Sequence, residues 1–271
     1  MLFEKSWQVG KVASIPVHVN FTWFIVLLPI VASLALGYLP ARYPWFNPIS
    51  TWAISVAATC LLFVSVLGHE LAHALVARRS GIPVERISLF LFGGVAVLRR
   101  EPATAWAEIK MAIAGPLSSL WLGVLLGLSY IAGSDIWPSS PPLALVEYLA
   151  IVNIALAFFN LIPAFPLDGG RLLRATLWAI TDDFKQATWA AGTLAQALAL
   201  LLVFWGLVRL VTGVFQGDGP AVSWIADTWI VMTGWFLGEA ARAGSSGDVS
   251  QPEAAGSGSQ DDEHTSDADD R

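Results

Sequence analysis

Two histidines and a glutamate lie together in an otherwise apolar run, Val66-Leu67-Gly68-His69-Glu70-Leu71-Ala72-His73-Ala74-Leu75-Val76. The spacing is H-E-x-x-H. On a helix, residues four apart share a face, so His69 and His73 can reach one metal ion. Glu70 lies about 100° further round the axis, where it can address a water without ligating the metal. The chemistry this permits is metal-assisted hydrolysis with a carboxylate as general base. In an apolar helix such polar groups are costly to bury, and they mark function by default.

A catalytic zinc usually takes three protein ligands and keeps one position open. The third ligand must come from elsewhere in the chain. His18 is near the N-terminus and His264 is in the tail. Glu85, Glu101, Glu108, Asp182 and Asp183 fall in predicted loops or at their edges, and Glu147, Asp227 and Glu239 near ends of predicted spans. Asp168 remains. It closes the stretch Asn160-Leu161-Ile162-Pro163-Ala164-Phe165-Pro166-Leu167-Asp168-Gly169-Gly170-Arg171, whose prolines and glycines interrupt a helix. Such a break can turn a carboxylate inward. An aspartate before a new helix is also a common N-cap, and that use stays open. The expected site is one zinc ion on His69, His73 and Asp168, with Glu70 as the catalytic acid and base.

The elements that must position these residues are membrane spans. The chain is 55% hydrophobic and 13% charged, against roughly 25% charged in ordinary soluble domains. The expected fold is an all-α polytopic membrane protein. It has six transmembrane helices near residues 21–39, 51–77, 109–132, 143–161, 187–211 and 221–241, with a small membrane-associated β-hairpin at 87–98. Met1 to Asn20 is short and mixed. Residues 1–242 form one domain, and 243–271 are expected to be a disordered acidic tail. That tail holds eight acids and Arg271, which leaves 14 Lys and Arg against 13 Asp and Glu in the rest. No basic patch points to nucleic acid. Cys60 is the only cysteine, so no internal disulfide forms.

Lys and Arg alternate along the predicted topology. Lys5 and Lys11 precede the first span, and Arg78, Arg79, Arg86, Arg99, Arg100 and Lys110 lie between or beside the second and third. Arg171, Arg174 and Lys185 lie between the fourth and fifth. This pattern places both termini in the cytoplasm of a multi-pass cell-membrane protein, with Arg42 and Arg209 as the only charges on the wrong side. His69 then lies about 13 Å inside the end marked by Arg78. The break ending at Asp168 falls at similar depth.

A peptide bond in a membrane helix must be unwound before it can be hydrolysed, and its freed backbone groups then need partners. The Gly93-Gly94 hairpin offers a strand edge for that purpose, and the Asn160 amide offers hydrogen bonds. Both have plainer uses: a re-entrant loop packed for structure, and an asparagine that caps or pairs helices.

Gly68-His69-Glu70-Leu71-Ala72-His73, Phe92-Gly93-Gly94, Ala114-Gly115-Pro116 and the stretch from Asn160 to Arg171 together resemble the site-2 protease family of intramembrane zinc metalloproteases. The resemblance runs over roughly residues 10–241. It implies zinc on His69, His73 and Asp168, Glu70 as acid and base, and substrate contacts at Asn160, Phe92, Gly93 and Gly94. It also implies regulated proteolysis of single-span membrane substrates within the lipid bilayer. The loops are too short for a PDZ domain and the tail too short and polar for CBS modules, so neither is expected. Two other readings stay open. One is a catalytically idle relative that binds membrane segments as a chaperone or regulator. The other is a metal transporter, which would need a path of ligands where the chain offers one cluster.

Overall fold

Polar residues set the ends of the helices, and small residues set how closely the helices pack. A computed structural model of the 271-residue chain describes residues 6–90, 93–138, 140–216 and 221–246. Two strands, β1 (Ser6–Val12) and β2 (Ile15–Asn20), lead into α1 (Thr22–Ser33), a wider helical turn over Leu34–Tyr38, and α2 (Leu39–Arg42). The long α3 (Pro48–Arg79) follows, then β3 (Val84–Phe90) and β4 (Gly93–Leu98). The remaining helices are α4 (Ala105–Ser134), α5 (Pro141–Asn160), α6 (Asp168–Thr181), α7 (Phe184–Gln216) and α8 (Ala221–Ser246).

Five helical stretches among the described residues are long and apolar enough to cross a bilayer: Thr22–Arg42, Pro48–Arg79, Ala105–Ser134, Pro141–Asn160 and Phe184–Gly213. The chain is therefore a multi-pass membrane protein. α8 lies along α7, where small residues permit close approach. A Cβ at Gly206 would come within 2.8 Å of Val231, and one at Gly234 within 2.9 Å of Val203.

Capping side chains begin two of the long helices. Asn47 Oδ1 accepts the Ser50 amide of α3 at 2.9 Å, and Thr104 Oγ1 accepts the Ala107 amide of α4 at 3.2 Å. α3 ends where Gly81 takes φ +74°, which lets the Ile82 amide return to the Ala77 carbonyl at 2.9 Å.

The β structure is larger than a hairpin over 87–98. It is a four-stranded sheet in the order β1-β2-β3-β4, with β2 and β3 parallel and both outer pairs antiparallel. The stretch up to Asn20, short and mixed in sequence, supplies half of it. Apolar and polar residues alternate in β2 and β3, and the apolar set of Ile15, Ile87 and Leu89 packs with Ala74 on α3. The sheet is thereby fixed to the helix that carries the H-E-x-x-H motif.

The two charges that opposed the expected topology are paired. Arg42 donates to Glu147 at 2.9 Å, and the Tyr43 hydroxyl donates to the same carboxylate. Burial, reinforced by that bond, holds the Tyr43 hydroxyl pKa above its ordinary value. Arg209 donates to Asp227 at 2.6 Å. Glu108, expected in a loop or at its edge, lies in the first turn of α4 and is fully buried. The acidic tail expected from 243 begins inside α8, which continues to Ser246; the remainder lies outside the described residues.

Candidate metal centre and active site

α3 presents His69 and His73 on one face, both buried. Their Nε2 atoms lie 3.0 and 3.1 Å from the same oxygen, Oδ2 of Asp168. Asp168 is the first residue of α6, and the N-cap position belongs to Leu167. Its side chain turns to the histidines instead of capping its helix.

The break between α5 and α6 is built for this turn. The Ala164 amide bonds the Ile162 carbonyl at 2.7 Å, and the Leu167 amide bonds Ala164 at 2.9 Å. The folded-back segment lies so close to α6 that side chains are excluded there. A Cβ at Gly169 would overlap the Leu161 and Ile162 carbonyls, and one at Gly170 would meet the Phe165 amide nitrogen at 2.6 Å. The two glycines after the aspartate are a packing requirement.

α4 orients the imidazoles. His73 Nδ1 lies 2.7 Å from the Met111 carbonyl oxygen, and His69 Nδ1 lies 2.9 Å from Ser119 Oγ. A carbonyl only accepts, so His73 Nδ1 carries the ring proton and, in the neutral ring, Nε2 presents a lone pair. That lone pair faces a carboxylate oxygen, which is also an acceptor when ionised. Acceptors converging at such distances require a proton or a cation between them. Ligands of a tetrahedral zinc, each at about 2.0–2.1 Å, stand about 3.3 Å apart. The observed separations are close to that, and the donor set suits zinc. Between Met111 and Ser119, α4 comes up against the rings at Gly115, where a Cβ would lie 2.5 Å from His69 Nε2 and would also overlap His73 Nε2.

Glu70 is buried beside the cluster, and the backbone amide of Ala96 in β4 faces its carboxylate. Gly94 lies against it, since a Cβ there would overlap the Glu70 side chain. Among the described residues β4 pairs only with β3, so its other edge is open. The Arg99 amide bonds the Pro83 carbonyl at 3.0 Å on the β3 side, so three residues earlier Ala96 faces the open edge. Alternate residues of an antiparallel strand face the same edge, so Gly94 and Leu98 face it too.

The other sequence candidates are less closely joined to the cluster. Gly93 starts β4 with φ +129°. Phe92 lies outside the described residues. Asn160 is the last residue of α5, and its amide donates to the Leu156 carbonyl at 3.0 Å. Among the described residues, no hydrogen bond joins it to the histidines or Asp168.

Ser119, Met111 and Ala96 were not among the sequence candidates, and Gly115 entered only within a motif. Ser119 could have been noticed as a polar residue in an apolar span. Met111 and Ala96 act through their backbones, where side-chain identity is silent.

Bilayer-length helices around a buried His-His-Asp cluster define a multi-pass membrane protein with a candidate metal centre. The chain belongs to peptidase family M50, whose sequence profile matches residues 57–139 and 127–204. It is 38% identical over 230 residues to a putative zinc metalloprotease of Synechocystis, covering 85% of this chain. It is 36% identical over 234 residues to the putative zinc metalloprotease Rip3 of Mycobacterium tuberculosis, covering 86%. The chain spans 57% of the length of each of these relatives. Among solved structures, the site-2 protease from Methanocaldococcus jannaschii superposes with a TM-score of 0.56 at 29% identity, covering 89% of this chain and 95% of that one. The relatives' names imply zinc, which the cluster fits.

Proposed function

We propose that the protein is a zinc-dependent intramembrane endopeptidase that hydrolyses peptide bonds within or near the transmembrane segments of single-span membrane proteins. The observation that carries this reading is the convergence of His69 Nε2, His73 Nε2 and Asp168 Oδ2, with the Glu70 carboxylate buried beside them. These three side chains hold one zinc ion. When bound, zinc supplies Lewis-acid polarisation of the scissile carbonyl and acidifies water.

The chain's own residues do the rest. Glu70 takes a proton from the attacking water and passes it to the leaving amine as the C–N bond breaks. Hydroxide adds to the carbonyl carbon, so no covalent enzyme intermediate forms. Met111 and Ser119 hold the imidazoles in place. The open edge of β4 receives the unwound substrate strand through backbone hydrogen bonds, and Gly94 lets that edge lie against Glu70. Phe92 and Gly93 contribute further substrate contacts, and Asn160 holds the opened backbone from the end of α5. The catalytic domain covers 1–242 with α8 as a sixth span. Both termini face the cytoplasm, so catalysis takes place toward the cytoplasmic side of the cell membrane.

Glu70→Gln tests the reading. In proteoliposomes with a single-span substrate, cleavage should fall by about 10²–10⁴-fold while zinc content stays at the wild-type level. Cleavage at the wild-type rate would overturn the mechanism. A wild-type protein that binds membrane segments and cleaves none would give the idle-relative reading its place.

A further inference from the structure

One face of α4 holds a run of contacts that extends beyond the histidines. Ser119 meets His69, Gly115 lies under both rings, and the Met111 carbonyl meets His73. One turn earlier stands Glu108. These positions recur at helical spacing, so they share a face. Glu108 is fully buried, and its partner is on α6, the helix that begins with Asp168. Arg174 donates to Glu108 Oε1 through Nε at 3.0 Å and also through its terminal Nη2. Glu108 Oε2 has no hydrogen-bond partner.

Arg174 joins more than two helices. Its guanidinium lies 5.6 Å from the ring of Phe165, in the break before Asp168, and 4.9 Å from that of Phe184, the first residue of α7. Glu101 adds a contact at 3.4 Å from the exposed side. The break itself is anchored in part: Ala164 and Phe165 pack with Ala191 and Ala195, while Leu161, Ile162, Pro163 and Pro166 are exposed. Asp168 and Arg174 are six residues apart on one helix, about 9 Å along its axis. A rigid helix gripped at Arg174 has its first residue placed as well.

We propose that Glu108 and Arg174 are a positioning pair: they lock α6 to the face of α4 that orients the histidines, and so set Asp168 where the three ligand atoms converge. The proposal rests on the reading that Asp168 is a metal ligand. It makes α4 the common reference for the whole ligand set. Met111 and Ser119 orient two ligands directly, and Glu108 places the third through Arg174. The fork of the guanidinium matters as much as its charge, since two nitrogens on one carboxylate oxygen and flanking aromatic rings restrict rotation in a way an ammonium cannot.

The test is metal affinity of the full chain in detergent. Zn²⁺ binding is measured by chelator competition and Co²⁺ coordination by the visible spectrum, at a temperature where each metal-stripped variant keeps wild-type helicity. Glu108→Gln and Arg174→Met should weaken Zn²⁺ binding by about 10–100-fold and alter the Co²⁺ spectrum. Arg174→Lys, which keeps the charge and guards against loss of folding, should fall between them and wild type. Combining Glu108→Gln with Asp168→Ala separates positioning from general support. If Glu108 acts through Asp168, it adds nothing once Asp168 is gone. Wild-type affinity and spectrum in the folded single variants, or full additivity in the double, would overturn the proposal. If Asp168→Ala itself leaves Zn²⁺ affinity unchanged, the ligand reading fails, and that result is distinct from failure of the positioning pair alone.

Discussion

His73 donates its Nδ1 proton to the Met111 carbonyl oxygen at 2.7 Å, and this leaves its Nε2 aimed at Asp168, 3.1 Å away. The bond joins α3 to α4 through a main-chain acceptor that no substitution of Met111 removes. It also fixes which nitrogen is available to a cation. Because α4 meets the two imidazole rings here with bare backbone, position 115 has no room for a side chain.

Gly115→Ala should therefore displace both rings. The added Cβ overlaps the two Nε2 atoms, and the rings cannot retreat without breaking their bonds to Met111 and Ser119. Zinc affinity should fall at least about tenfold with helix content retained. Zinc per chain at fixed free zinc, read beside circular dichroism, checks this; a full zinc complement would contradict the packing described.

Ser119→Ala removes the partner of His69 Nδ1 in a buried setting. Loss of such an outer partner typically lowers metal affinity about 10–100-fold. Ser119→Thr keeps the hydroxyl and should retain more affinity than the alanine variant. Equal affinities for all three proteins would mean that the bond does not orient the ring.

Gly94→Val acts on the other side of the cluster. Its side chain overlaps Glu70 and pushes β4 away from that carboxylate. Overpacking of this kind costs about 1–3 kcal/mol. Cleavage of a single-span substrate should drop while zinc stays bound. Wild-type cleavage would remove the open β4 edge from the mechanism.

Glu147→Ala is a test far from the site. The carboxylate is shared by Arg42 and the Tyr43 hydroxyl, and its side chain is 13% exposed. Leaving that hydroxyl without an acceptor should cost about 1–3 kcal/mol, seen as a lower melting temperature with zinc content unchanged. Arg42→Ala should cost less, because half of the Arg42 side chain is exposed. A loss of zinc in either variant would show a coupling to the metal centre that the contacts do not suggest.

The motif residues were legible because their chemistry conflicts with their surroundings. His69, Glu70 and His73 stand out in an apolar run, and Asp168 stands out because prolines and glycines break the helix before it. Similar expected depth along the membrane pairs Asp168 with the histidines, and the three side chains do come together. The N-terminal strands were missed for the opposite reason. β1 is exposed along its whole length and has no strong apolar alternation. It exists because β2 pairs with β3, a parallel partner about 70 residues away, as the Val17 to Ile87 register shows.

Sequence by itself determined the class of element, the membrane setting and the residue types capable of the chemistry, because hydropathy, helical spacing and helix breakers act locally. Tertiary structure alone decided which atoms of those residues are presented, and to what. Whether His73 offers Nε2 depends on a carbonyl 38 residues away. Whether Asp168 caps a helix or faces the histidines depends on how α6 is held against α4, and Arg174 meets Glu108 across 66 residues of chain. Pairings of that range leave no local pattern, since each partner alone resembles an ordinary charge at the edge of a span.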